Sequence, residues 1–272
     1  MGAGFGLALS TAGHDVTLLV RTERPTPPGV GRSIGTDRWR EAVERAAVVL
    51  VATPDNAIPA VAGDLLALGG IGSAHTVLHL SGLLDYRALD PLAPSGAALG
   101  SLHPLQSIAD PAAGPARLRG AYAAIEGEPR AQESAAALAR AAGMIPVVVP
   151  SSAKPAYHAA ATIASNYSVA LAGLAERIAG AAGLPPGVTA SMYLPLMRGT
   201  IENLVAGGTV AALTGAIRRG DVATVQAHLA ALTGPERRLY ALLGLETVRI
   251  AREGGLQGNR AAELEELLRA AG

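Results

Sequence analysis

The chain has no cysteine, and it has a single lysine, Lys154, among 22 basic residues. Without cysteine there can be no disulfide, thiolate metal site or cysteine nucleophile. Aromatic residues are scarce: one Trp, six Tyr and one Phe. The core is therefore expected to consist of Ala, Val, Leu and Ile. Net charge is also lacking, because 22 acidic residues balance the 22 basic ones. That balance argues against a nucleic-acid surface or an electrostatic membrane anchor. No two histidines and a carboxylate stand at metal-ligand spacing, so no metal is expected. No basic segment precedes an apolar run at the N-terminus, as a secretory leader would require. The most apolar long stretch, Tyr157–Ala175, is interrupted by His158, Ser165 and Asn166. It reads as a buried helix rather than a membrane span. Together these absences imply a cytoplasmic protein with neither nucleic acid nor membrane as partner.

What is present suits globular domains. Half the 272 residues are apolar and 16% are charged, which excludes disorder. The length fits one large or two ordinary domains. Up to Pro150, short β-branched runs alternate with Ala-rich helical stretches. Strands are expected at Val16–Val20, Val48–Ala52, Thr76–Leu80, Ala97–Leu102, Ala121–Ile125 and Ile145–Val149. Helical periodicity fills Trp39–Ala46, Ala57–Leu68 and Arg130–Ala142. This pattern predicts an α/β fold, a Rossmann-like, doubly wound and mostly parallel sheet. After Pro150 no strand is expected. Helices are predicted at Pro155–Ala182, Pro186–Ala206, Asp221–Ala231, Pro235–Glu253 and Asn259–Ala270, with Pro and Gly at the joins. The organisation is thus residues 1–150, a Rossmann-like dinucleotide-binding domain that is N-terminally truncated, and residues 151–272, an all-helical domain.

Gly2-Ala3-Gly4-Phe5-Gly6 matches G-x-G-x-G, a weak dinucleotide signal without a strand before it. Gly2 stands about three helical turns before the turn at Ala12-Gly13-His14, the place of the third fingerprint glycine. On this reading the first strand and the first two glycines are missing from the chain, and translation is expected to begin upstream. The rival reading makes the three glycines themselves the phosphate loop, which leaves less than two helical turns before Gly13.

Candidate site residues follow the strand ends, where ligands bind in such sheets. Arg21 and Thr22 follow the first predicted strand, with Arg24 nearby. An Arg with a hydroxyl neighbour suits a ribose 2′-phosphate, which favours NADP over NAD. Thr53-Pro54-Asp55 ends the next strand, and Asn56 could cap the following helix. Ser81 and Gly82 would lie near the nicotinamide. His103, held extended by Pro104, is a candidate acid, base or substrate ligand. His14, His75 and His228 receive no role.

The sharpest feature lies at the domain junction. Lys154, His158, Thr162 and Asn166 are spaced by four, a step that drifts only about 40° around a helix. Ser165 falls near this stripe. A solvated face is the ordinary explanation of such a stripe, yet this chain otherwise uses Arg and Glu on its polar faces. Pro155 suits a first helical turn and so puts Lys154 at the helix N-terminus. A cation there opposes the helix dipole by about 0.3–1 kcal/mol.

Four stretches carry a resemblance across nearly the whole chain: Gly100–Ser107 (GSLHPLQS), Pro150–Asn166 (PSSAKPAYHAAATIASN), Leu194–Leu204 (LPLMRGTIENL) and Ala212–Asp221 (ALTGAIRRGD). They resemble the uncharacterised Rossmann-like and DUF2520 domain-containing proteins. More distantly, the layout is similar to ketopantoate reductases, β-hydroxyacid dehydrogenases and pyrroline-5-carboxylate reductases. The resemblance implies an NADP-binding fold, a homodimer built through the helical domain and an unassigned oxidoreductase activity. The β-hydroxyacid group places a lysine and an asparagine four apart on this helix, whereas Lys154 and Asn166 are twelve apart.

The leading expectation is an NADP-dependent reductase of a small carbonyl or imine substrate. Lys154 would polarise or protonate the developing alkoxide or amine. His103 and His158 are alternative proton donors, with Asn166 and Ser165 orienting the substrate. Arg198, with Thr200 and Asn203, could hold a carboxylate. The alternative is a non-catalytic NADP-binding or regulatory protein that keeps the shape of a reductase.

Overall fold

The computed structural model of the protein describes residues 1–20, 26, 29–34 and 36–272. It divides into two compact units, Met1–Ser165 and Asn166–Gly272. In chain order the first unit runs α1 (Gly2–Thr11), β1 (Thr17–Val20), β2 (Gly31–Ile34), α2 (Thr36–Arg45), β3 (Val48–Val51), α3 (Ile58–Leu68) and β4 (Thr76–His79). It continues with β5 (Ala98–Pro104), α4 (Gly114–Leu118), β6 (Tyr122–Gly127), α5 (Pro129–Ala141), β7 (Ile145–Val148) and α6 (Lys154–Ala164).

Strands β3 to β7 form one sheet in sequential order, parallel except between β5 and β6. Strands β1 and β2 form a separate parallel pair, and β1 and β3 share no ladder. The alternation of side chains across each strand decides which face each residue serves. On β4, Leu78 packs in one cluster with Phe5, Leu102 and Ala131. Its neighbour Val77 packs in the opposite cluster with Ile58, Leu65 and Leu89. Helix α5 meets the sheet through Ala131, Ala135 and Ala139, all fully buried and spaced by four. Three methyl groups in a row bring that helix close to the strands. The lone phenylalanine, Phe5, is wholly buried on α1, a burial worth about 1.5–3 kcal/mol.

The second unit contains α7 (Asn166–Ala181), α8 (Pro186–Met192), α9 (Leu194–Ala212), α10 (Gly215–Arg219), α11 (Val222–Ala231), α12 (Gly234–Glu253) and α13 (Gly258–Arg269). It is all-helical, as the sequence predicts. Its core joins Ile217, Val225, Leu229, Val248, Leu264 and Leu268 from α10 to α13. Helix α9 kinks at Gly208 and has no buried residue.

The structure adds one strand, decides between the two readings of the N-terminal glycines and departs from the sequence reading at three further points. The strand Gly31–Ile34 is not visible in the sequence, because Gly-Arg-Ser-Ile has almost no β-branched signal; pairing with β1 makes it. Gly2, Gly4 and Gly6 lie inside α1, which rules out the rival reading of them as a phosphate loop. Asn56 does not cap α3, which has no side-chain cap; a 3-10 turn over Asp55–Ala57 leads into it instead. The single helix predicted over Pro155–Ala182 breaks at Ser165 (φ −110°, ψ −71°). The polar stripe therefore ends there, with Asn166 opening α7. Composition changes at Pro150, yet α6 belongs to the first unit, because its side chains are tied to the strand ends.

Candidate active site

Strand β4 runs into His79-Leu80-Ser81-Gly82, and β5 ends at His103-Pro104. Alternation turns His79, Ser101 and His103 to one face, and Glu126, paired with Ser101 in register, joins them. His79 is fully buried with both nitrogens engaged. Nδ1 accepts from the Ser81 N–H (3.2 Å), which leaves Nε2 to donate to the Asp85 carbonyl (2.9 Å). Burial pushes its pKa down to about 4. The Ser81 hydroxyl donates to Asp55 Oδ2 (2.8 Å) and accepts from the Leu83 and Leu84 N–H groups. Ser81 and Asp55, proposed from the sequence as cofactor contacts, thus pin the turn around Gly82. Thr53 and Pro54 stand exposed at the end of β3.

Lys154 opens α6 and is 2% exposed. It belongs to no solvated face. Its ammonium donates to the Ser81 carbonyl (3.1 Å) and to Ser101 Oγ (2.7 Å). The Ser101 hydroxyl in turn donates a hydrogen bond to Glu126 Oε2 (3.0 Å). Ser151 Oγ (2.6 Å) and the Tyr86 N–H (3.0 Å) complete the bonds to that buried carboxylate. A serine hydroxyl thus bridges a buried cation to a buried anion. Burial lowers the Lys154 pKa, and Glu126, Asp85 and Asp55 oppose that shift. The unfavourable helix-end position is offset by these bonds.

A second cluster surrounds Gly82. His103 Nδ1 is 2.9 Å from the Tyr157 hydroxyl, and the two rings meet edge to face (87°). His158, one residue further along α6, lies edge-on to His103 with ring centroids 5.7 Å apart. A Cβ at Gly82 would stand 2.5 Å from His158 Nδ1 and 2.8 Å from His103 Cε1. Only glycine fits there. His158 Nδ1 is buried without a hydrogen-bond partner. Burial, then His158 and Lys154, lower the His103 pKa to about 4; burial raises that of Tyr157 to about 12.

The structure therefore brings Lys154, His103, His158, Ser81, Gly82 and Asp55 together within the first unit. Thr162 donates back to the His158 carbonyl (3.0 Å), and Ser165 is exposed at the end of α6. Asn166, Arg198, Thr200 and Asn203 belong to the second unit. There Thr200 and Asn203 line a groove of about 450 Å³ whose lining does not include Arg198. Arg21, Thr22 and Arg24 lie outside the described residues. Tyr157, Glu126, Ser101 and His79 are absent from the sequence-level site. Glu126 had a signal, a lone acid in an otherwise apolar strand run, and Tyr157 lies inside the quoted PAYH stretch.

Gly2 begins α1, where a Cβ would fall 2.5 Å from that of Ala52 at the end of β3. This close helix–strand approach is what the third fingerprint glycine provides. The helix start has no side-chain cap, so no side chain at the cap takes its first N–H groups. With Thr53 exposed beside it, this end of the sheet fits a dinucleotide phosphate.

Strand order, helices on both sheet faces and a helical second unit define a Rossmann-like protein with a reductase-like fold. The model of a family described as a domain of unknown function (DUF2520) matches residues 121–247, so the chain carries a DUF2520 segment. No curated protein sequence matches it. Among solved structures, Thermotoga maritima protein TM1727 is 26% identical with a TM-score of 0.62, covering 99% of this chain and 95% of that one. Plasmodium falciparum pyrroline carboxylate reductase with NADP bound is 11% identical (TM-score 0.57; 100% and 95% covered). An NADH-preferring ketol-acid reductoisomerase from an uncultured archaean is 13% identical (TM-score 0.64; 99% and 83% covered).

Proposed function

We propose that this chain is a cytoplasmic, NADP-dependent oxidoreductase that reduces a small carbonyl or imine compound. The observation that carries the reading is the cluster at Gly82. Two imidazoles and a phenol converge at the carboxyl ends of β4 and β5, packed so tightly that no Cβ is tolerated between them. Strand ends of this kind are where such sheets bind nicotinamide. A bound reduced nicotinamide supplies hydride. The chain's own groups supply the proton and hold the turn. Lys154 acts as a positioning residue: its ammonium ties the Ser81 carbonyl to Ser101 and Glu126 and so fixes Gly82 relative to His103.

NADP rather than NAD rests on Arg21 and Thr22, since an arginine bond to a phosphate is worth about 1.5–3 kcal/mol. Fluorescence titration checks both points. Saturable NADPH binding, about tenfold or more tighter than NADH, is expected. Undetectable binding of either nucleotide sinks the reading. Arg21→Ala should erase the preference for NADPH.

The partner is a second copy of this chain, docked through the helical unit. Helix α9 exposes Leu196, Ile201 and Val205 and buries nothing of its own. The stretch Pro186–Arg219 has the length and apolarity of a membrane span. Arg198 and Glu202 within it favour a protein surface over lipid, where charges are expensive.

A further inference from the structure

We propose that Tyr157, paired with His103, is the proton donor of this site. The assignment rests on the reductase reading above and goes beyond it by naming the acid. Among the groups around Gly82, Tyr157 carries a phenolic proton on an oxygen that stands 2.9 Å from His103 Nδ1. The Lys154 ammonium is sealed in and spends its bonds on Ser81 and Ser101. His79 has both nitrogens committed to backbone groups and is fully buried. His158 Nδ1 is buried beside Gly82 without a hydrogen-bond partner.

A phenolic oxygen can accept one hydrogen bond and donate another. When His103 donates through Nδ1–H to the Tyr157 oxygen, the phenolic proton is left for a substrate. The perpendicular rings limit the swing of both side chains. Burial keeps the imidazole neutral and the phenol protonated across the neutral pH range. The titratable groups facing His103 are His158, Lys154, Asp55 and His79.

The step balances as follows. Hydride adds to the electrophilic carbon, and the C=O or C=N π pair moves onto the heteroatom. The Tyr157 O–H bond breaks, and its proton goes to that heteroatom. The phenolate left behind is held by His103 Nδ1–H until a solvent proton restores it. The substrate gains two electrons and the nicotinamide loses them.

The test compares full-length wild type, Tyr157→Phe and His103→Gln. NADPH binding is followed by fluorescence, and histidine ring nitrogens by 15N NMR in the free protein. NADPH oxidation is measured with glyoxylate, pyruvate, butanal and 1-pyrroline. Tyr157→Phe is expected to bind NADPH within about threefold of wild type while kcat falls about 100-fold or more. It should also move the His103 ring signals, leaving those of His79 in place. His103→Gln should bind NADPH normally, lose about tenfold in kcat and shift the pH–rate profile. Tyr157→Phe turnover within about twofold of wild type overturns the assignment, as do His103 signals indifferent to that variant. A wild type that binds NADPH and reduces none of the four probes also overturns it. A wild type that binds no NADPH instead overturns the reductase reading itself.

Discussion

The two units spend their polar and apolar residues in opposite ways. Six of the seven buried polar or charged residues among those described lie in the first unit: Thr76, His79, Ser81, Ser101, Glu126 and Lys154. The second unit has only Thr189 in that class, yet it exposes Val169, Leu196, Ile201, Val205 and Leu242. Buried polar groups cost free energy unless every one is bonded. Exposed apolar groups forgo the burial that would stabilise the fold. The first unit is built around an internal polar network, and the second around a surface. Under the proposed function, the first unit would carry the chemistry and the second the assembly.

The comparison is broken most directly at Lys154. Lys154→Met leaves Glu126 buried with its serine donors but no cation behind them. The Ser81 carbonyl and the Ser101 hydroxyl also lose a charged donor, each such bond worth about 1.5–3 kcal/mol, read as a lowered urea midpoint. A double-mutant cycle with Glu126→Gln should show a coupling of about 0.5–3 kcal/mol. Additive effects would mean that the serine bridge couples nothing.

Acid should act on the same unit. His79 titrates near 4 in the folded chain and near 6.5 when unfolded. Between those values the unfolded state binds more protons, so stability is complete above about pH 6.5 and falls as pH drops toward 4. The loss from His79 is on the order of 3 kcal/mol, with His103 adding in the same direction. His79→Gln should flatten this slope in urea titrations between pH 4 and 7. A slope unchanged by that substitution would contradict the assignment.

The smallest expected change in fold stability lies in the second unit. Val205 is 84% exposed, so Val205→Asp should alter stability by no more than about 0.5 kcal/mol. It should nevertheless shift the protein from dimer to monomer in sedimentation velocity. An unchanged sedimentation coefficient would remove α9 from the interface.

Much of the fold was legible because its signals are periodic. The Val48–Val51 and Thr76–His79 runs show their strands directly, and the Pro and Gly joins mark the second unit's helices. The site was only half legible. His103, Ser81, Gly82 and Lys154 stand at strand or helix ends, positions a sequence reveals. Glu126 and Ser101 meet through an antiparallel register, and Tyr157 meets His103 across 54 residues. Register and long-range pairing are properties of the assembled sheet, and no local pattern encodes them. The break at Ser165 escaped for a related reason: Ala-Ser-Asn contains neither Pro nor Gly to announce it.

The Lys154 pocket also bears on how this sequence can drift. The chain uses arginine at 21 of its 22 basic positions. Residue 154 is the exception. A guanidinium is wider than an ammonium and carries five donors in a fixed plane. The site offers one carbonyl and one hydroxyl within about 3 Å of a single nitrogen, sealed from water. An arginine at residue 154 would bury more donors than the two acceptors bonded to the Lys154 ammonium, so Lys154→Arg is expected to destabilise the first unit.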